Sequence, residues 1–296
     1  MRLVAALALG TAAALRPVAA PVVVGGGATA AALYGKLQRY EAVFDSGLAR
    51  PSLVASEKEI NAVDKVLWNA YCMASVTRGD AVPRDQFVRG RLRELSSPIF
   101  FVDATGAGPA PPAPPAFLPF FGGSDPAPTP AASSGEAPAA EILAACRGEH
   151  VFVLASAECA RACEDALDDA GVERATVVAP SDGVALVCDG SWVSSRPQDL
   201  EGELLAPVEV GEEAGTGALD VQDLAEVAVQ IALRLPRDAS RSVRVRGGGA
   251  AASRQNANYF TEIGGKNAKA REGTVSSADW GSTLGALGEA VDDLTS

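Results

Sequence analysis

The sequence has few of the residues that most often carry metal or acid–base chemistry. Its 296 residues include one histidine, five cysteines and two methionines, and aromatic residues make up only 5% of the total. Cys159 and Cys163 could lie one helical turn apart, but no second pair and no nearby histidine complete a tetrahedral zinc shell. An odd number of cysteines in a chain of this length also argues against a disulfide framework. We therefore predict no metal site.

Excess positive charge is also missing, because 25 Lys and Arg residues face 37 Asp and Glu residues, for a net charge of -12. A nucleic-acid-binding face needs clustered Lys and Arg to displace phosphate counterions, so nucleic acid is excluded as a partner. No Asn-x-Ser/Thr sequon occurs, and nothing supports a glycosylated protein. Hydrophobic residues nevertheless make up 48% of the chain, which predicts a globular core.

Residues 1–20 have the pattern of a targeting peptide. Arg2 precedes an apolar run, which is followed by small residues suited to signal-peptidase cleavage. The junction Ala14-Leu15-Arg16-Pro17 resembles the bipartite plastid-targeting presequence of algae with secondary plastids. This resemblance implies a plastid location, and the secretory pathway is the alternative.

Three interpretations of residues 17–35 compete. One is a short strand followed by Gly25-x-Gly27-x-x-Ala30, the fingerprint in which glycines let backbone N–H groups approach a pyrophosphate at a helix start. In that case Asp45 is the acidic residue at about the expected distance, although it follows no clear second strand. The second interpretation is targeting sequence or linker. The third is a membrane anchor, because the segment is uncharged and about 20 residues long, although its glycines weaken insertion.

Residues 21–108 are predicted to be an N-terminal helical part, or the first half of a Rossmann-like domain. Ser56-x-x-Glu59 is a capping box that begins a helix over residues 57–73, and a second helical stretch runs from residue 83 to 95. The apolar run at 99–102 predicts a buried strand. It leads into Thr105-Gly106, which is either an ordinary turn or a loop beside a cofactor.

Residues 109–140 are rich in proline and alanine, which predicts a disordered linker. The apolar cluster Phe117–Phe121 interrupts it and is a candidate contact for a protein partner. Residues 248–296 are predicted to be a polar tail with a short helix through Leu284 and Leu294, a second candidate contact for a partner.

Residues 141–247 alternate strands and helices. Strands at 151–155 and 175–179 follow helices at 139–146 and 159–170, which implies a parallel sheet. The strands are continuously apolar, so helices should cover both faces of the sheet. The predicted fold class is α/β, a Rossmann-like parallel sheet with helices on both faces, interrupted by the Pro/Ala-rich insert.

Three segments of this part resemble the atypical short-chain dehydrogenase/reductases, the NmrA-like NAD(P)-binding proteins. They are AGVERATVVAPS at 170–181, WVSSRPQDL at 192–200 and DVQDLAEVA at 220–228. The resemblance spans about a hundred residues and implies NAD(P) as the cofactor. It also adds Ser181 and Arg196 to Gly25, Gly27, Ala30, Thr105 and Gly106 as candidate cofactor-binding residues. Arg196 has an alternative role as the ion-pair partner of Asp223.

The chain departs from this family in one chemically important respect. Classical members use a tyrosine as proton donor with a lysine four residues later, but Tyr34, Tyr40, Tyr71 and Tyr259 are followed at that spacing by Gln, Phe, Ser and Ile. We therefore expect a non-catalytic NAD(P)-binding-fold protein of the plastid, an assembly, regulatory or redox-sensing factor. An NAD(P)H-dependent oxidoreductase or isomerase and a scaffold subunit of a membrane-associated complex are the alternatives.

Overall fold

The structure is a computed structural model, and it describes residues 19–42, 46–71, 76, 80–90, 98–108, 129–130, 135–188, 204, 208–211, 215–247 and 279–287. Its strands are β1 (Ala20–Val24), β2 (Ser52–Ala55), β3 (Ala81–Pro83), β4 (Pro98–Ala104), β5 (Thr129–Pro130), β6 (His150–Ala155), β7 (Ala175–Pro180), β8 (Val184–Cys188), β9 (Val208–Val210), β10 (Gly217–Asp220) and β11 (Arg241–Gly247). Its helices are α1 (Ala28–Ala42), α2 (Glu57–Tyr71), α3 (Arg84–Val88), α4 (Ala140–Ala145), α5 (Ala160–Asp169), α6 (Val221–Arg234) and α7 (Trp280–Leu284), the last continued by a 3-10 turn at Gly285–Leu287.

Eight strands form the main sheet in the order β3-β2-β1-β4-β6-β7-β11-β9. All neighbours in it are parallel except β9, which pairs with β11 in the antiparallel direction. The chain builds outwards from β1 to β3 and then returns to the other side of β1 with β4. This reversal is the topological switch point at which doubly wound folds bind their ligands. The Rossmann-like α/β fold class is therefore confirmed.

Strands from both sides of the Pro/Ala-rich insert belong to this one sheet. β1 and β4 come from the first part of the chain, and β4 pairs over its length with β6, from Ile99 beside His150 to Ala104 beside Ala155. The last residues of the predicted linker, 135–139, also lie against the sheet and lead directly into α4. The sheet therefore begins at β1 rather than after the linker.

Helices cover both faces of the sheet, as continuously apolar strands require. On one face, Val23, Phe101 and Phe152 form a core with α1, α2 and α6. On the other, Val22 and Phe100 pack with α3, α4 and α5. The strands β1, β2, β4, β6 and β7 thus contribute alternate side chains to two separate cores.

A small second sheet, in the order β10-β8-β5, packs against α6. Helix α6 lies between this sheet and the main one, so every residue from Val221 to Leu233 is buried. Asp220 caps α6 by accepting a hydrogen bond from the backbone N–H of Gln222 at 2.8 Å.

Two segments differ from the prediction. A helix is expected over residues 83–95, and in the part of it that the structure describes, residues 83–90, α3 ends at Val88 because Gly90 adopts a φ of 73°, a conformation that terminates helices. A membrane anchor is one interpretation of residues 17–35, but Ala20–Val24 is a strand paired on both sides within the sheet. Among the described residues, no helix combines the length and apolarity needed to cross a bilayer.

Candidate functional site

The candidate site is the carboxyl edge of the main sheet at the switch point between β1 and β4. Val24 lies beside Val102 in the register of the two strands, so the next residues, Gly25 and Asp103, are neighbours at this edge. The loop Gly25-Gly26-Gly27 connects β1 to the start of α1 at Ala28. This is the strand–glycine loop–helix arrangement that the fingerprint predicts.

The three glycines of this loop are in close contact with other parts of the chain. A Cβ atom on Gly25 would lie 2.7 Å from Cβ of Asp103, and Gly25 has a φ of 139°. A Cβ on Gly26 would lie 2.2 Å from Cβ of Glu59, and one on Gly27 would lie 2.2 Å from the carbonyl oxygen of Ala107. The packing of the loop against Asp103, Glu59 and Ala107 therefore requires glycine at all three positions.

The carboxylate of Asp103 lies at the N-terminus of α1. Its Oδ2 accepts a hydrogen bond from the backbone N–H of Ala30 at 3.1 Å, and its Oδ1 accepts from the backbone N–H of Thr105 at 3.1 Å and from the Thr105 hydroxyl at 2.7 Å. Burial raises the pKa of this carboxyl above its usual value, and the nearby Glu59 carboxylate adds to the rise. The three hydrogen bonds favour the charged form and offset part of it. Because the Thr105 hydroxyl donates to Asp103, the Thr29 hydroxyl, 2.8 Å away, donates to Thr105.

A second carboxylate, that of Glu59, lies against the loop from the side of α2. The predicted capping box is present, because the backbone N–H of Ser56 donates to Glu59 Oε2 at 2.8 Å and the Glu59 N–H donates to the Ser56 hydroxyl at 3.4 Å. Arg84 donates to both carboxylate oxygens at 3.1 Å. Burial alone would raise the pKa of Glu59, but the hydrogen bonds from Ser56 and the Arg84 guanidinium outweigh it and lower this pKa.

A dinucleotide pyrophosphate would need the N–H groups of this loop and of the first turn of α1. The N–H of Ala30 already donates to Asp103, and that of Ala28 donates to the carbonyl oxygens of Gly108 at 3.1 Å and Ala107 at 3.3 Å. Asp103 and Glu59 also place two acidic groups where the pyrophosphate would add further negative charge. In this arrangement the residues present do not fit a pyrophosphate.

The neighbouring part of the carboxyl edge, between β4 and β6, is covered by the segment that precedes α4. A Cβ on Gly135 would lie 2.2 Å from the carbonyl oxygen of Ala104 and 3.1 Å from the hydroxyl oxygen of Ser156. These are the residue that ends β4 and the residue that follows β6. Gly135 therefore occupies the space directly above these two strand ends.

The structure brings together most of the predicted cofactor-binding residues, but not all of them. Gly25, Gly27, Ala30 and Thr105 meet at the loop, and Gly106 forms the turn beyond it with a φ of 68°. Ser181 directly follows β7, which β4 and β6 separate from β1, so it lies about 14 Å or more from the loop. Its backbone N–H donates to Val245, and its buried hydroxyl has no hydrogen-bond partner in the described part of the chain. Arg196 lies outside the described residues, as does its proposed pairing with Asp223.

An open cavity of about 1050 Å³ lies beside the loop, at the carboxyl ends of β2 and β3. Its lining includes four carboxylates, Glu57, Asp64, Asp85 and Glu141, and two guanidiniums, Arg84 and Arg89. Arg84 pairs with Glu59, and Arg89 lies 3.8 Å from Asp85. The acidic lining makes this cavity a poor site for the phosphate groups of a nucleotide.

The cysteines of the described segments lie inside the protein. Cys146, Cys159, Cys163 and Cys188 are all buried and unbridged. The sulfur atoms of Cys159 and Cys163 are 3.5 Å apart, and burial raises the pKa of the Cys163 thiol and that of Cys146, the latter to about 12. Over the same described segments, no three His, Cys, Asp or Glu residues are grouped so that they could hold a metal ion.

Three residues of this edge were not recognised from the sequence. Asp103 follows a predicted strand and begins the turn that contains Thr105, a position from which it can reach a neighbouring strand end. The sequence pattern predicts only a capping-box role for Glu59, and it places Gly135 in the linker. Only Asp103 has a sequence signal, namely an acidic residue directly after a buried strand.

Comparison with known proteins gives no match: no protein-family model, no curated protein and no solved structure is significantly similar to this chain.

Proposed function

We propose that this protein is a non-catalytic Rossmann-like protein of the plastid that acts as an assembly or regulatory factor through contacts with other proteins. The observation that supports this most strongly is the coverage of the carboxyl edge between β4 and β6. Gly135 is packed against Ala104 and Ser156 there, so the space directly above these two strand ends, beside the switch point, is not open to a substrate.

The tyrosines of α1 also support a non-catalytic role. Tyr34 and Tyr40 are both buried in the core, and burial raises the pKa of Tyr34, which makes it a poorer acid. The Tyr40 hydroxyl donates to Glu226 at 2.6 Å and therefore serves the packing of α1 on α6. Neither residue is available as a proton donor to a substrate.

Among the roles expected from the sequence, assembly or regulation is favoured over redox sensing by thiols. A redox-sensing cysteine is usually an accessible thiolate. The four cysteines of the described segments are buried, and burial raises the pKa of two of them. An oxidoreductase remains the alternative, because the switch point has the topology of a dinucleotide site.

The plastid location rests on the targeting pattern of residues 1–20, and the structure limits where that peptide can be cleaved. Ala19 and Ala20 are buried, and β1 lies between β2 and β4. Cleavage after Gly35 would remove this strand, so we expect the mature amino terminus to precede Ala19. Sequencing the amino terminus of the protein from isolated plastids tests this directly, and a start beyond Val24 would contradict the proposal.

Two measurements test the function itself. In plastid extracts the mature chain should migrate in native size-exclusion chromatography well above the 30.1 kDa mass of the full-length monomer, together with a partner. The purified chain should not oxidise NADH or NADPH in the presence of aldehydes, ketones or quinones. Migration as a free monomer would contradict the assembly role, and steady nicotinamide turnover would establish the oxidoreductase.

A further inference from the structure

A non-catalytic Rossmann-like protein could still bind a dinucleotide, so the ligand of the glycine loop is a separate question from catalysis. The pairing of β1 with β4 determines which group of the protein lies at this loop. Val24 beside Val102 places Asp103 next to Gly25, and the absence of a side chain on Gly25 leaves room for Cβ of Asp103. The carboxylate thereby reaches the first turn of α1.

Every polar contact that the structure gives this carboxylate is of the kind that a phosphate oxygen makes in such folds. The donors are the backbone N–H of Ala30, the backbone N–H of Thr105 and the Thr105 hydroxyl, at 2.7 to 3.1 Å. Thr29 extends the set by donating to the Thr105 hydroxyl. The N-terminus of α1 adds the positive end of the helix dipole, which stabilises an anion.

We propose that Asp103 is a built-in anion that takes the place of a dinucleotide pyrophosphate, so that NAD(P) does not bind at the glycine loop of this chain. The carbonyl oxygens of Ala107 and Gly108 also accept a hydrogen bond from the backbone N–H of Ala28, so this donor too is bound within the protein. A dinucleotide and the native position of Asp103 therefore exclude each other. This goes beyond the proposed function, because it identifies what fills the site.

The first test is the affinity of the purified chain for the cofactors. Isothermal titration calorimetry with NADH and with NADPH, each at up to about 1 mM free ligand, should give no binding, and neither cofactor should raise the Tm. Saturable binding of either cofactor below 1 mM would overturn the proposal, whether or not the protein turns it over.

The second test replaces the carboxylate and supplies another one. Asp103→Ala leaves three donors without an acceptor and should lower the Tm by about 5 °C or more. Sodium formate should restore most of that loss, whereas sodium chloride at equal ionic strength should not. If the variant does not fold in buffer, its refolding yield in formate and in chloride gives the same comparison.

Two control variants make the rescue specific. Asp103→Asn fills the same space with a neutral amide, so it should be destabilised without being rescued by formate. Asp85→Ala removes a carboxylate whose side chain is 62% exposed and should change neither the Tm nor its response to formate by more than about 1 °C. Equal effects of formate and chloride on Asp103→Ala would overturn the assignment of Asp103 as the loop's anion.

Discussion

The N-terminus of α1 and its later turns make different kinds of contact. At the N-terminus, the N–H groups of Ala28 and Ala30 are bound by loop carbonyls and by Asp103. Further along the helix the contacts are between side chains. There Lys36 of α1 forms a 2.6 Å ion pair with Glu226 of α6.

Further side chains belong to the network around Glu226. Its carboxylate also accepts from the Tyr40 hydroxyl at 2.6 Å and from Gln230 at 2.9 Å, and Gln230 accepts from Arg234 at 2.6 Å. A separate buried polar residue, His150, is the first residue of β6.

The comparison separates two roles of α1. Ligands of doubly wound folds use backbone donors at the carboxyl edge, and here the N–H groups of Ala28 and Ala30 are bound within the protein. The side chains of the later turns have no such role and fix α1 to α6. Substitutions should therefore act through the packing of the loop at one end of α1 and through a buried charge further along it.

The largest effect is expected at the ion pair between α1 and α6. Lys36→Met leaves the Glu226 carboxylate, whose side chain is 3% exposed, without its cation. An uncompensated buried charge costs about 3 to 5 kcal/mol of unfolding free energy, measurable by urea denaturation.

Two further variants calibrate that result. Arg89→Met breaks an exposed pair with Asp85 and should cost less than about 0.5 kcal/mol. The double variant Lys36→Met/Glu226→Leu should recover much of the loss, because it leaves no charge unpaired. A Lys36→Met effect no larger than that of Arg89→Met would mean that the network does not hold the two helices.

The next effect depends on pH and concerns the only histidine. His150 Nδ1–H donates to the carbonyl oxygen of Arg237 at 3.3 Å, so the neutral ring accepts from the Thr176 hydroxyl at Nε2, 2.8 Å away. Burial, together with the nearby cations of Arg237, Arg241 and Arg174, lowers the pKa of His150 to about 4.

The sign of the pH dependence follows from this shift. Between pH 6.5 and pH 4 the unfolded chain binds a proton at His150 that the folded chain does not. Stability is therefore complete above pH 6.5 and falls by about 3 kcal/mol as the pH drops to 4. His150→Gln should remove this component in urea unfolding measured across that range. Parallel pH profiles for the two proteins would contradict the buried neutral histidine.

The smallest of the three effects tests the closure of the glycine loop. Gly27→Ala places a Cβ 2.2 Å from the Ala107 carbonyl oxygen and should destabilise the chain by about 1 to 3 kcal/mol. Gly108→Ala is the matched control, because a Cβ there meets nothing within 4 Å. An open phosphate loop would instead tolerate alanine at Gly27 with no loss of Tm, and that result would contradict the closure of the loop at the N-terminus of α1.

Much of the fold was predictable from local patterns. The apolar runs at β4, β6 and β7 are long and bounded by turn residues, and the glycine loop follows β1 as the fingerprint requires. The Ser56-x-x-Glu59 box begins α2 as predicted. These features depend on neighbouring residues in the chain, which is why the sequence alone reveals them.

The candidate site was less predictable because its contacts join distant residues. Asp103 binds Ala30 across 73 positions, and Gly135 lies on Ala104 across the Pro/Ala-rich insert. The small sheet of β5, β8 and β10 has short strands and was not predicted. No periodicity within one segment encodes such pairings.

The sequence by itself determined the fold class, because strand and helix periodicity and the loop Gly25-Gly26-Gly27 are local properties. It also determined the absence of the Tyr-x-x-x-Lys pair. Only the tertiary structure decided what the glycine loop contacts, since the register of β1 with β4 places Asp103 at the N-terminus of α1. The physical reason is that an N–H group donates a hydrogen bond to any well-placed anion, and strand pairing rather than sequence proximity decides which anion is placed there.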